Sequence, residues 1–348
     1  MSGGVDSSVA AALLCEQGYK VFGITMVHYD SPLHRDKKAV SDAADVCSVL
    51  GIKHKVVEIK QEFREQVIDN FIEQYLSGYT PNPCVRCNPR IKWGALLYKA
   101  LEEGADAIAT GHYCRIRYDD KQQRFQLFRA GHQHKDQSYA LWDLDQSQLS
   151  RTRFPLSELT KTQVREIAAR AGLKISDKAE SQEICFIEDD DYKRFLSEEL
   201  AKQGHTIVPG DILDMQGNVL GQHKGYPFYT IGQRKGLGIA VGKPVFVNEI
   251  DPVRNTIRVG DKKDLFSPGL VATNANWVAE EQPSPGITVT AHIRYNDPGY
   301  PALLESCNDE TFSLKFETPR PSVTPGQSAV LYLGDMLLGG GVIHHAIK

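Results

Sequence analysis

Ser2-Gly3-Gly4-Val5-Asp6-Ser7-Ser8 runs without a break into Val9-Ala10-Ala11-Ala12-Leu13-Leu14, and this junction decides how the first half of the chain reads. Two consecutive glycines let backbone N–H groups approach an anion closely. The helix start adds the positive end of its dipole, and the serines add hydroxyl donors. No Gly-Lys-Ser/Thr follows, so the loop is not of the Walker kind. Taken alone, a Gly-Gly pair before a helix is also met as a plain turn. Working outward, the helix closes at Gly18 and Val21 to Val27 form a short apolar run of buried-strand type. Val40, Ala43, Ala44, Cys47 and Leu50 then recur at helical spacing as far as Gly51. Residues 54–59 read as a strand, 62–76 and 91–103 as helices, and 105–110 as another buried strand. Such alternation predicts an α/β fold with a doubly wound parallel sheet covered on both faces. Thr160-Lys161-Thr162-Gln163 is a capping box opening a helix that stops near Gly172.

Beyond about residue 205 helical periodicity disappears, and Gly and Pro punctuate short β-rich runs at 255–259, 286–293, 328–333 and 341–344. The reading is a catalytic domain over 1–200, a small β-rich domain over 201–270 and a β-barrel over 271–348. The chain has 348 residues, with 40 Lys plus Arg against 44 Asp plus Glu and a hydrophobic fraction of 41%. This excludes disorder, collagen-like repeats and a uniformly basic nucleic-acid coat. No apolar run reaches the roughly 18 residues of a membrane span, and the first residues lack the basic head and apolar stretch of a secretion signal. Seven cysteines without a dense framework point to a reducing, cytoplasmic setting.

The strand 105–110 ends in Ala109-Thr110-Gly111-His112, and ligands of parallel sheets gather outside the carboxyl ends of strands. Met26 lies near another such end, where its side chain could rest against an adenine. His112 alone reads equally as a hydrogen-bonded loop histidine, and Met26 as core. Together, Ser-Gly-Gly-Val-Asp-Ser and Ala-Thr-Gly-His resemble the PP-loop ATP pyrophosphatases, which split ATP into AMP and pyrophosphate while activating a carbonyl oxygen. The resemblance implies ATP at Met1, Ser2, Gly3, Gly4, Val5, Asp6, Ser7, Met26 and Gly111, with magnesium on the phosphates. That family runs a central strand into this loop, whereas here the chain starts at the loop itself. Because a vacancy would expose two strand edges, a preceding piece of about ten residues is expected.

Pro81-Asn82-Pro83-Cys84-Val85-Arg86-Cys87-Asn88 is a constrained loop in which two prolines fix φ and withdraw donors. No Asp or Glu occurs between Gln74 and Leu101. The local excess of Arg86, Arg90, Lys92 and Lys99 favours a thiolate on Cys87 and attracts a phosphate backbone. A second place is Glu180-Ser181-Gln182-Glu183-Ile184-Cys185-Phe186-Ile187, where an inert buried thiol is the ordinary answer. A structural zinc site lacks a second Cys/His pair. A thioredoxin-like pair disagrees with the Pro-Asn-Pro lead-in. A nucleophile with a sulfur-carrying partner fits best. Between Met215 and Asn248 no Asp or Glu occurs, while Lys224, Arg234, Lys235 and Lys243 mix with Tyr226, Phe228 and Tyr229. That mixture suits phosphate pairing and base stacking, or equally a solvated basic loop over a small aromatic core. Glu188-Asp189-Asp190-Asp191 reads as the negative start of a helix rather than as a metal site.

The combination resembles the tRNA-specific 2-thiouridylases, which thiolate the wobble uridine of certain tRNAs with ATP. The matching strings include Thr80-Pro81-Asn82-Pro83, Cys87-Asn88, Lys135-Asp136-Gln137-Ser138-Tyr139, Ile184-Cys185-Phe186-Ile187 and Tyr229 to Gly238. The resemblance implies Cys87 as nucleophile and Cys185 as persulfide carrier, passing through a Cys87–Cys185 disulfide. It places Asn82, Pro83 and Cys84 against the target base, and His112, Lys135, Asp136, Gln137, Arg294, Tyr295 and Gln327 toward target base or tRNA. Some members carry Asp where Cys84 stands. A third sulfur there raises an alternative, an iron–sulfur cluster on Cys84, Cys87 and Cys185. Implied partners are tRNA and a persulfide-donating sulfur-relay protein. The rival readings are a PP-loop ligase activating a small-molecule carbonyl, which needs neither cysteine place, and an RNA-binding module with an idle nucleotide fold.

Overall fold

A computed structural model of the chain describes residues 1–29, 35–174, 184–187 and 189–348, with only the backbone of 35 and 36. Glu180 to Glu183 and Glu188 of the strings above lie outside the described residues. Val5–Glu16 is helical from Gly4 onward, and no side chain caps its N-terminus, so the first-turn N–H groups are left for an external acceptor. Phe22–Val27 pairs in parallel with Lys53–Glu58, and Ile108–Ala109 pairs in parallel with Thr152–Arg153. The expected single sheet is thus present as two parallel pairs. The strand expected over 105–110 pairs at only two residues. The buried α-amino group of Met1 donates to the Ile24 carbonyl, and burial lowers its pKa to about 6.

The cysteine-bearing helix starts at Pro83, well before the predicted Ile91. Asn82 Oδ1 accepts from the N–H groups of Cys84 (3.2 Å) and Val85 (3.4 Å), and Pro83 occupies the first turn, where its missing N–H costs nothing. Pro89 then lacks the donor an α turn would need, and Asn88–Leu96 continues as a π-helix before α geometry resumes at Leu97–Glu102. A second π turn, Arg64–Ile68, lies between the α segments Lys60–Phe63 and Asp69–Leu76. The capping box at Thr160 forms as expected, and the helix expected after the acidic run is Tyr192–Lys202, with Asp191 as its cap.

Gly210–Leu213, Val219–His223, Phe246–Asp251 and Thr256–Gly260 make a separate four-stranded sheet. Among the described residues six strands between Phe266 and Ile347 form a barrel, closed by pairing of Phe266–Trp277 with Met336–Ile347. The barrel is not free of the first domain. The hairpin Arg115–Asp119 and Arg124–Phe128 extends its sheet through Leu127↔Leu337 and Phe128↔Met336. Leu127, Leu141 and Trp142 share one buried cluster with Val330, Tyr332 and Leu337. At that interface Trp142 Nε1 donates to Ser328 Oγ (2.9 Å) and the Tyr139 hydroxyl to the Ser328 carbonyl (3.0 Å).

Ser328→Ala strands a buried indole N–H and is expected to destabilise the protein by about 1–3 kcal/mol. Calorimetry should show a lowered unfolding midpoint. Trp142→Phe should cost less on that background than in the wild type, because the orphaned donor is then gone.

Candidate active site

Gly3 has φ +65°, and a Cβ there would stand 2.8 Å from the Ala39 carbonyl oxygen, so both backbone shape and space demand glycine. Ser2 N–H donates to Ser7 Oγ (3.2 Å), and Ser7 Oγ donates to the Gly4 carbonyl (3.2 Å). Gly111 presses on the same loop: a Cβ there would fall 2.7 Å from Asp6 and 2.8 Å from the Ser7 nitrogen. The two strings separated by a hundred residues therefore meet backbone to backbone. Asp6 is held by the Tyr113 hydroxyl (2.8 Å) and by Lys161 Nζ (2.8 and 2.9 Å). Tyr113 and Lys161 were not singled out from sequence. The available signals were the position of Tyr113 directly after His112 and of Lys161 inside a capping box that fixes its backbone. Uncapped helix N–H groups, a glycine cradle and paired serine hydroxyls suit an oligophosphate. Met26 is half-buried between two apolar clusters.

His112 is half-buried. Burial and neighbouring Lys92 hold its pKa well below the ordinary histidine value, so the ring is neutral. Its Nδ1 stands 2.8 Å from Thr110 Oγ1 and its Nε2 3.3 Å from Lys92 Nζ, and the ammonium can only donate. Nε2 therefore accepts and Nδ1 carries the proton. Lys92 is also the cation that acts on both thiols of the helix. Its placement follows from the π segment. A turn closed by an i→i+5 bond brings residues five apart nearly over one another, whereas an α-helix separates them by about 140°.

The expected thiolate is not the resting state of Cys87. The thiol is buried, and burial pushes its pKa up to about 11 against the opposing pull of Lys92. Arg86 does not help, because its Nε donates to the Gln66 carbonyl (2.6 Å). Arg86 and Arg90 instead face Asp143, whose pKa burial raises to about 6 in spite of them. Cys84 is exposed at the surface, yet the protein around it still raises its pKa, with Lys92 again opposing. Cys185 is exposed as well. Its neighbours Phe186 and Ile187 are buried in the cluster that contains Cys87, Ile91, Phe63 and Phe71, and Ile184 packs against it. Among the described residues no three His, Cys, Asp or Glu side chains are placed to hold a metal ion. Cys84, Cys87 and Cys185 are thus not gathered into such a group.

Of the residues expected to face tRNA, Asp136 accepts from the N–H groups of Ala130 (3.0 Å) and Ser138 (3.2 Å) and from Ser138 Oγ (2.7 Å). Gln137 Oε1 accepts from the Tyr113 N–H (3.1 Å), and Lys135 ends a short 3-10 turn. Arg294 is exposed near the buried Asp297 (4.0 Å), and exposed Tyr295 meets Tyr139 edge-on. Gln327 Nε2 donates to the Thr80 carbonyl (2.8 Å). Of the two readings left open between 215 and 248, the structure agrees with the solvated basic loop over an aromatic core, and the exposed stacking surface is corrected. Tyr229 is buried, and Tyr226 and Phe228 pack against its cluster, with the Tyr226 hydroxyl donating to Leu76 O (2.8 Å). Apolar burial claims these rings, while Lys224, Arg234, Lys235 and Lys243 stay exposed.

Three family profiles cover the chain. One described as a tRNA methyl transferase HUP domain matches residues 1–189, a tRNA methyl transferase PRC-barrel domain matches 193–261, and an aminomethyltransferase beta-barrel domain matches 267–343. A protein of Carboxydothermus hydrogenoformans named tRNA-specific 2-thiouridylase MnmA is 47% identical over 99% of this chain and 96% of its own length. One of the same name from Moorella thermoacetica is 49% identical over 99% and 98%. Among solved structures, the U34-tRNA thiolase NcsA of Methanococcus maripaludis with its 4Fe–4S cluster is 19% identical. It covers 58% of this chain and 64% of that one, with a TM-score of 0.35.

Because Lys92 stabilises the thiolate, Lys92→Met should raise the Cys87 pKa beyond its value of about 11. Alkylation of Cys87 by iodoacetamide, followed by mass spectrometry across the mildly alkaline range, should slow by roughly three- to tenfold at any given pH. Lys92→Arg should lose much less.

Proposed function

The chain belongs to the tRNA-specific 2-thiouridylase family, and we propose that it replaces the C2 oxygen of a tRNA wobble uridine by sulfur, with ATP activating the oxygen and Cys185 delivering the sulfur as a persulfide. The PP-loop family implies the use of ATP, and the loop Met1 to Ser7 with Gly111 against it is the place for it. Magnesium would neutralise the phosphates there. The uridine oxygen attacks the α-phosphorus, the bond to the β-phosphate oxygen breaks, and pyrophosphate departs, leaving an adenylated C2 oxygen.

The outer sulfur of the Cys185 persulfide then attacks C2. Cys87, as thiolate, attacks Cys185 Sγ and breaks the sulfur–sulfur bond. The electron pair stays with the transferred sulfur, and AMP leaves with the original oxygen. The two cysteines end as a disulfide, so the electrons that reduce the persulfide sulfur come from them, and an external dithiol or thiol must reopen the bond. Such a bond needs Cα atoms within about 7 Å. The observation that carries the reading is the shared burial of Cys87 with Phe186 and Ile187, which keeps the exposed carrier thiol tethered beside the buried nucleophile. Exposure of Cys185 also suits loading by a persulfide-donating protein. The exposed Arg294, Tyr295, Lys224, Arg234 and Lys235 suit a phosphate backbone whose anticodon base is splayed out of its stack. A small-molecule ligase would need neither thiol.

Incubation with unmodified tRNA, ATP and a protein persulfide donor should yield 2-thiouridine with AMP and pyrophosphate in equal amounts. Cys87→Ser and Cys185→Ser should each reduce product at least about a hundredfold. Undiminished thiolation by the double variant would remove the sulfur relay. Pyrophosphate release driven by a metabolite and indifferent to tRNA would support the ligase.

A further inference from the structure

We infer that the barrel turn Pro325-Gly326-Gln327 is a latch that positions the cysteine-bearing helix, with Gln327 acting on Thr80 rather than only on tRNA. The inference rests on the reading above of Cys87 as the reacting thiol. Thr80 is the last residue before Pro81-Asn82-Pro83. Two prolines in that stretch supply no N–H, so the segment cannot hold itself by a backbone ladder. The barrel supplies the missing partners. The Thr80 N–H donates to the Pro325 carbonyl (2.9 Å), and the Thr80 carbonyl accepts from Gln327 Nε2 (2.8 Å). Gly326, at φ +89°, lies so close that a Cβ there would stand 2.9 Å from the Thr80 nitrogen and 3.0 Å from its oxygen.

The turn is itself stiff. Gly326 N–H donates to the Ile343 carbonyl (2.9 Å), and Ile343 N–H donates back to the Gln327 carbonyl (2.7 Å). Both bonds tie the latch into a barrel strand. From the other side the Thr80 hydroxyl donates to Thr230 Oγ1 (3.3 Å), in the Tyr229-Thr230-Ile231-Gly232 string of the middle domain. Thr230 also lies against the hydroxyl of Tyr192, which donates to the Phe228 carbonyl (3.0 Å); Tyr192 opens the helix following Cys185 and stacks on Tyr75 at 5.1 Å. One residue of the middle domain and one turn of the barrel therefore set the lead-in to Cys84 and Cys87, and the middle-domain residue also touches the segment after Cys185. A nucleic acid seated on the barrel is linked to the thiols through two hydrogen bonds at Thr80.

The test compares wild type with Gln327→Ala and with Thr230→Val, which removes only a hydroxyl at constant shape. Amide exchange is followed without tRNA by mass spectrometry on a peptide spanning 79–88. Each variant is then assayed for thiolation. Losing one net hydrogen bond should speed exchange at Thr80 by about fivefold in Gln327→Ala. It should lower kcat by a similar factor with KM for tRNA nearly unchanged. Thr230→Val should speed exchange both there and around Tyr192. Unchanged exchange in both variants, or a raised KM with an unchanged kcat in Gln327→Ala, would overturn the latch and leave Gln327 as a plain tRNA contact. Exchange reads the latch in the absence of any activity, so a wild type that fails to thiolate would sink the functional reading alone.

Discussion

The ring of Phe186 stands edge-on to Phe63 and Phe71 and tilted against Phe195, at centroid separations of 5.7, 5.5 and 5.2 Å. Truncating a buried phenylalanine of this kind costs about 3–5 kcal/mol. Its neighbour Cys185 is exposed, so an anchored side chain and a solvent-facing thiol sit one bond apart along the backbone. The same cluster holds Cys87 and Ile91. Two sulfurs 98 positions apart in sequence are thereby kept in one neighbourhood by hydrophobic burial, not by a bond between them. Dragging the Cys185 segment away would open the pocket that also buries Cys87. A short displacement about Phe186 leaves that packing intact.

Burial serves a second purpose at Cys87. With a pKa near 11, about one molecule in ten thousand carries the thiolate at neutral pH. Desolvation outweighs Lys92, and the reason is geometric. One ammonium, shared with His112, faces a thiol surrounded by isoleucine and phenylalanine, while Arg86 is committed to a backbone carbonyl. On the proposed relay, a thiol silent at rest is protected from oxidants and from attacking a persulfide before the base is in place. His112 fits the same balance. A protonated ring would set a second cation beside Lys92, and desolvation together with that ammonium keeps it neutral.

What could be read beforehand followed local rules. Glycine pairs before helices, the Thr160–Gln163 capping box, the Asp191 cap and the change from helical to β periodicity near 205 all depend on residues a few positions apart, and each corresponds to an element of the fold. What escaped depends on distant partners. Charge counting near Cys87 pointed to a thiolate because it weighs neighbours in sequence and cannot see that Ile91, Phe186 and Phe71 remove water. Tyr226, Phe228 and Tyr229 looked like a stacking surface because composition does not say which way a ring faces. Pro89 was visible, but its consequence was not: a proline inside a helix usually kinks or ends it, and here the helix absorbs it by widening into π geometry.

The barrel is best understood through the hairpin that enters it. Had the first and third domains met only at a polar surface, a tRNA held by the barrel could swing relative to the phosphate loop. Instead Leu127 and Phe128 continue the sheet beside Leu337 and Met336, and Trp142 packs into the shared core with its N–H on Ser328. Sheet continuity fixes register, because slipping a strand by one residue would turn every side chain to the wrong face. The barrel surface proposed to bind nucleic acid is thus referenced to the first domain by hydrogen-bonded strand pairing at Leu127 and Phe128. Phosphate-backbone contacts fix register and orientation but carry no sequence information. On the proposed reading, such contacts on the barrel can place a base at the phosphate loop only if the two domains keep a fixed relation, and the strand pairing between them supplies one.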